Sequence, residues 1–107
     1  MATVGKIDLK ANKDVSADTE TTLSDLLSYP ERRKEFTLDT DVTCDKSKLK
    51  VTVAKLGTLD ITADVTRKKG EKTSLWSLSK YADFSKKIKA SQAIKKDDVL
   101  AVNIETV

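Results

Sequence analysis

Few residues in this chain have the types and spacing that chemistry needs. Two carboxylate pairs, Asp39/Asp41 and Asp60/Asp64, have the spacing that lets two acids share proton-transfer roles in a cleft. Lysines and threonines surround them and no pocket aromatics flank them, so a catalytic pair is not the expectation. Cys44 shares a strand face with Val42, the place of a buried structural thiol and not of an activated one. The chain has no histidine, which removes the commonest general base. With one cysteine and no histidine, a structural zinc site is excluded. Glycines stand only at 5, 57 and 70, so no glycine-rich phosphate cradle exists. The residues point to a non-enzymatic protein with no cofactor, no metal and no small-molecule substrate.

Charge is the stronger signal. From Arg67 to Lys96 there are ten Lys/Arg and two acids, a net +8, against a formal +3 for the whole chain. Arg67, Lys68 and Lys69 open that segment, and its KK steps could track phosphates. A solvated face of snorkelling lysines is the plainer reading of the same pattern. Trp76 lies among these lysines, where it could stack a base or pack against a loop or a second subunit.

The elements that must position these groups belong to one domain, residues 1–107. Charged residues make up 35% of the chain and aromatics 5%, so the core must be aliphatic and thin. No apolar run approaches the roughly 18 residues of a membrane span. The opening MATVGKIDLK lacks an apolar stretch, so secretion is not expected. The single cysteine suits a reducing compartment.

Ile7, Leu9 and Ala11 alternate with polar residues as in a half-buried strand. Leu23, Leu26 and Leu27 have helical spacing, with Pro30 as the terminator. Phe36, Leu38, Val42 and Cys44 form one apolar strand face, and Leu49–Thr66 alternates over its whole length. Pairing apolar with apolar sets Val53 opposite Leu59 around a Lys55-Leu56-Gly57 loop, and Val42 opposite Val51 around Asp45–Lys48. Leu75, Leu78, Tyr81, Phe84 and Ile88 then fall on half of a helical wheel, which predicts a main helix near 73–89 with Trp76 outside its apolar arc. Leu100, Val102 and Ile104 alternate as a final strand, although VLAVNI also suits a helical turn. The fold class is α+β: an antiparallel sheet of about five strands, a meander at 33–67, and helices over one face. No repeat and no linker is apparent.

In that register the polar face sets Asp41 beside Thr52, Thr52 beside Asp60, Lys50 between Thr43 and Thr62, and Lys48 between Asp45 and Asp64. Such cross-strand pairs contribute roughly 0.2–1 kcal/mol each. Three positive and five negative charges occupy the face (Arg33, Lys48, Lys50 against Glu35, Asp39, Asp41, Asp60, Asp64). A face of that sign is a poor phosphate trap.

SLWSLSK, then ASQ, then DDVLAVN resembles the C-terminal portion of coat proteins of single-stranded RNA bacteriophages. The preceding strands, with their threonine-rich alternation and single Cys, are similar too. The resemblance implies a homodimer interlocked through C-terminal helices and a closed shell in a virion, assembled in the host cytoplasm. It also implies RNA held on the sheet's polar face, which here means Thr43, Lys48, Lys50, Thr52, Thr62 and Thr66. Leu75, Trp76, Leu78, Tyr81, Phe84 and Ile88 are then the candidate subunit interface. Two alternatives stand beside this structural, self-assembling reading. One is a small nucleic-acid-binding accessory protein using segment 67–96. The other is an inhibitor or adaptor whose aspartate rows meet a basic partner.

Overall fold

A computed structural model describes residues 2–107. Eight strands run in the order β1 (Thr3–Lys10), β2 (Glu20–Thr21), β3 (Glu35–Thr37), β4 (Lys48–Val53), β5 (Gly57–Thr62), β6 (Lys72–Ser74), β7 (Ile88–Lys89) and β8 (Val99–Thr106). The short helices α1 (Leu23–Leu26), α2 (Tyr29–Arg32) and α3 (Leu75–Leu78) and a 3₁₀ turn (Tyr81–Ser85) fall between them. The main sheet is antiparallel with four strands in the order β1-β8-β4-β5, and β2-β7 and β3-β6 form two small ribbons. Alternation builds the sheet as expected. Leu9, Leu49, Val51, Val53, Leu59, Ile61, Leu100, Val102 and Ile104 all point into one aliphatic core.

The chain is an internal duplication. Shifting the first half by 52 positions lays GKIDLKA (5–11) on GTLDITA (57–63) and TLSDLLSY (22–29) on SLWSLSKY (74–81). Backbone bonds repeat with the same offset. Asp18 N–H donates to Ala90 O as Gly70 N–H does to Leu38 O, and Asn12 N–H donates to Leu26 O as Asp64 N–H does to Leu78 O. The bridge Val15–Ile94 maps onto Arg67–Val42. Helix caps repeat too, for Thr22 Oγ1 accepts from Asp25 N–H at 3.1 Å and Ser74 Oγ from Ser77 N–H at 3.2 Å. Left-handed residues match as Asp18 with Gly70 and Asp45 with Asp97. One extra residue follows Asp45, after which Leu49, Val51 and Val53 match Leu100, Val102 and Ile104. The pair Thr52–Asn103 maps onto itself, so it lies on a pseudo-two-fold axis at the sheet centre.

Several expectations are corrected. The segment 73–89 is not one helix. It holds β6, the four-residue α3, the 3₁₀ turn and β7, because Ser74 caps a short helix and Ser79 ends it in extended backbone. The 33–67 meander does not form: β3 pairs with β6, Val42 faces Arg67 and not Val51, and β4 lies between β5 and β8. Pro30 opens α2 instead of closing the preceding helix. The β4–β5 hairpin is real, but its register differs by two residues. Val53 pairs with Gly57, Thr52 with Thr58, Lys50 with Asp60 and Lys48 with Thr62. Left-handed Lys55 lies in the Ala54–Leu56 loop. A two-residue shift leaves every side chain on its expected face, which is why burial was foreseen and neighbours were not. Residues 99–106 are a strand, now central. The main sheet has four strands and not five, and the chain is repetitive.

The free edges of β1 and β5 are closed alike. Lys34 Nζ donates to Asp8 O at 3.1 Å and Lys86 Nζ to Asp60 O at 3.3 Å, a lysine guard against edge-to-edge pairing.

Candidate functional site

Two surfaces gather the candidate residues. On the sheet's outer face, Lys48, Lys50 and Thr62 line an open cleft of about 570 Å³ with Asp60, Lys80, Asp83 and Lys86. Lys48 Nζ donates to Thr62 Oγ1 at 3.2 Å, and Thr52 Oγ1 lies 3.3 Å from Thr58 Oγ1. Thr43 and Thr66 belong to the Val42–Arg67 bridge instead, where Thr66 Oγ1 accepts the Cys44 N–H. The six positions implied by the resemblance are therefore divided between the β4–β5 hairpin and the Val42–Arg67 bridge.

Aspartates neutralise much of this cleft. Lys80 Nζ reaches Asp64 at 2.8 Å and Asp45 at 3.0 Å, and Lys86 reaches Asp83 at 2.9 Å. Bonds to Asp64 and then Asp45 push the Lys80 ammonium pKa above its usual range, and the Lys80 bond holds Asp45 below its ordinary 3.8. Desolvation, then the Asp45 charge, pushes the Cys44 thiol up, so it is a weak nucleophile at neutral pH.

The signs give a prediction. Asp45, depressed when folded, contributes stability above its ordinary 3.8, and that contribution is lost as pH falls through the folded value. Lys80, raised when folded, contributes below its ordinary 10.5, lost as pH rises through the folded value. Urea unfolding across pH is expected to show the wild type losing its advantage over Lys80→Met below about pH 4. An advantage unchanged in strong acid would refute the pairing.

The second surface is aromatic. Tyr29 opens α2, and its symmetry mate Tyr81 opens the 3₁₀ turn. Trp76 lies between them, edge-on to each ring at centroid distances of 5.6 and 6.3 Å. Phe84 packs against the indole at 5.1 Å. The Arg32 guanidinium lies 5.7 Å from the Trp76 ring while donating to Leu27 O and Ser24 O. Arg33 lies 5.3 Å from the Tyr29 ring and donates to its hydroxyl. Tyr29 is 51% exposed and Tyr81 75%. Trp76 replaces Ser24 of the other half, so aromatic mass collects on one side of the axis.

No family model, curated protein or solved structure matches the chain. Its surfaces must therefore speak for its function.

Of the candidate interface residues, Leu75, Leu78 and Phe84 lie in the chain's own core and offer nothing to a partner. Trp76 and Ile88 are half-buried against that core and Tyr81 is exposed. Arg67 sits half-buried in its bridge, whereas Lys68 and Lys69 are exposed at the following turn. Glu71 Oε1 accepts the Lys68 N–H, and Asp41 Oδ1 accepts the Lys69 N–H. Tyr29 and Arg32 carry no signal in the sequence pattern beyond the Tyr29/Tyr81 repeat, and Arg33, expected on the sheet's polar face, stands on the Tyr29 ring instead.

Among the described residues, no helix is long and apolar enough to cross a membrane.

Proposed function

We propose that the chain is a self-associating structural protein, a small subunit that builds a larger assembly and encloses nucleic acid. The exposed Tyr29–Trp76–Tyr81 surface with Arg32 and Arg33 carries this reading. Trp, Tyr and Arg dominate binding energy at interfaces, because they bury much area for little lost rotamer freedom. A chain with 5% aromatic residues places most of them in this one cluster, and an isolated folded chain gains little from the two exposed rings. The long interlocking helix implied by the coat-protein resemblance is not needed. Association runs through the aromatic surface instead.

Sedimentation velocity across a concentration series tests it. The wild type is expected to associate, and Tyr29→Ser with Tyr81→Ser to weaken association by tenfold or more, about 1.4 kcal/mol. A wild type that stays monomeric at high micromolar concentration sinks the proposal.

A second reading, a nucleic-acid-binding accessory protein, draws on the charge segregated into Arg67–Lys96. There, binding of single-stranded RNA falls steeply with salt, quenches Trp76 and is weakened by Lys68→Glu with Lys69→Glu. Equal affinity in that variant rejects it.

A further inference from the structure

The duplication supplies an internal control. Where the two halves share a backbone but differ in side chains, the fold itself does not demand the difference. One such difference lies in an open polar pocket of about 410 Å³ between the end of α2, β3, β6 and α3. Arg33, Arg67 and Lys72 line it, with Glu35 as its one acid and Thr73, Ser74 and Ser77 as its hydroxyls. At the matching positions of the other half stand Ser85, Val15 and Glu20. The matching strand and bridge form without the Arg67 and Lys72 cations.

Nor are these cations paired. Among the described residues none of the three makes a salt bridge. The Arg33 guanidinium donates to the Tyr29 hydroxyl at 3.2 Å, and that of Arg67 to the Thr66 carbonyl at 2.8 Å. One buried group is also left over. Thr73 is 4% exposed, and among the described residues its hydroxyl has no hydrogen-bond partner. Its mate Thr21, equally buried, places its hydroxyl against the Thr22 carbonyl. An unsatisfied buried hydroxyl is a standing cost that a ligand could relieve.

We propose that this pocket binds a phosphate group, free or as a monoester. Two guanidiniums match tetrahedral oxyanions with paired N–H donors, and the ammonium adds a point charge. The hydroxyls of Ser74, Ser77 and Thr73 complete a donor set of the kind phosphate oxygens accept. The pocket shares Arg33 with the aromatic surface but does not depend on self-association, and its test leaves Tyr29 and Tyr81 intact.

Titration of the ¹⁵N-labelled full chain with inorganic phosphate, and in parallel with adenosine monophosphate, tests the proposal. Saturable amide shifts centred on Thr73, Ser74 and Ser77 are expected, with affinity reduced about tenfold or more in Arg67→Val with Lys72→Glu. That variant carries the residues of the other half, so its circular dichroism and melting are expected to stay native. Thr73→Val provides a second readout: weaker phosphate binding without loss of thermal stability, since the hydroxyl satisfies nothing in the free protein. Tighter binding of the nucleotide identifies an esterified phosphate as the ligand, and tighter binding of inorganic phosphate a free one. Non-saturating shifts spread over the surface, or affinity undiminished in the double variant, overturns the assignment.

Discussion

Phe84→Ala is expected to lower the unfolding free energy by about 3–5 kcal/mol, the usual cost of truncating a fully buried aromatic. Phe84 has no exposed surface, and its ring supports two other groups. Trp76 packs on it at 5.1 Å and the Arg32 guanidinium lies 5.8 Å from its centroid. Against a typical domain stability of about 5–15 kcal/mol, the loss leaves a marginal protein. Chemical denaturation measures it, and Trp76 emission should move to longer wavelength as water reaches the indole. Tyr81→Ala, three residues away but 75% exposed, is the control and should stay within about 0.5 kcal/mol of wild type. Comparable losses in the two variants would mean that Phe84 is not the keystone of this end of the core.

Gly5→Ala is the second large effect. A methyl group built at Gly5 would meet the Phe36 ring, with Cδ2 at 2.5 Å and Cε2 nearer still. Phe36 is itself buried and paired across β3–β6, so it cannot swing into solvent. Overpacking of this kind costs about 1–3 kcal/mol, and this contact belongs at the upper end. The duplication again provides the comparison. Gly57 faces Ile88, the mate of Phe36, and a methyl there meets Ile88 Cγ2 at 3.2 Å. Gly57 also sits at φ +157°, where any side chain is strained whatever the space, so the steric share of the Gly5→Ala loss is isolated by Phe36→Leu, which should recover part of it. If Phe36→Leu leaves that loss unchanged, the close approach is not its cause.

How much of this was legible depends on which rule each segment obeys. The alternating strands could be read from period alone, so Leu49, Val51, Ile61, Leu100 and Ile104 fell on the buried face as expected. Pairing was not legible, because period two cannot distinguish a register from one shifted by two residues. The segment 73–89 misled for a different reason. Leu75 and Leu78 do occupy one helical turn, but Ser79 and Lys80 are extended and the apolar spacing resumes in a 3₁₀ turn and a strand. Several short elements turned toward one core imitate the wheel of a single helix.

The duplication is faint in the sequence, visible in GKIDLKA and GTLDITA, because polar positions have diverged while apolar ones persist. That same divergence makes the pocket at Arg33, Arg67 and Lys72 visible. Its three cations come from the residue that follows α2, the Arg67 bridge and β6, brought together only by the fold. No local pattern announces such a site.

The five strand pairs β1–β8, β2–β7, β3–β6, β4–β5 and β4–β8 each join one half of the chain to the other. Residues 2 and 106 lie side by side, with Thr106 N–H donating to Ala2 O and Ala2 N–H to Thr106 Oγ1. A load hung between the two ends would therefore pull on β1 and β8 at their shared end and open their bonds one after another, as a zip opens. Loaded along the strands instead, from a point in β1 and one in β5, the sheet must break its ladders together. The protein is built to yield to force in one direction and resist it in another.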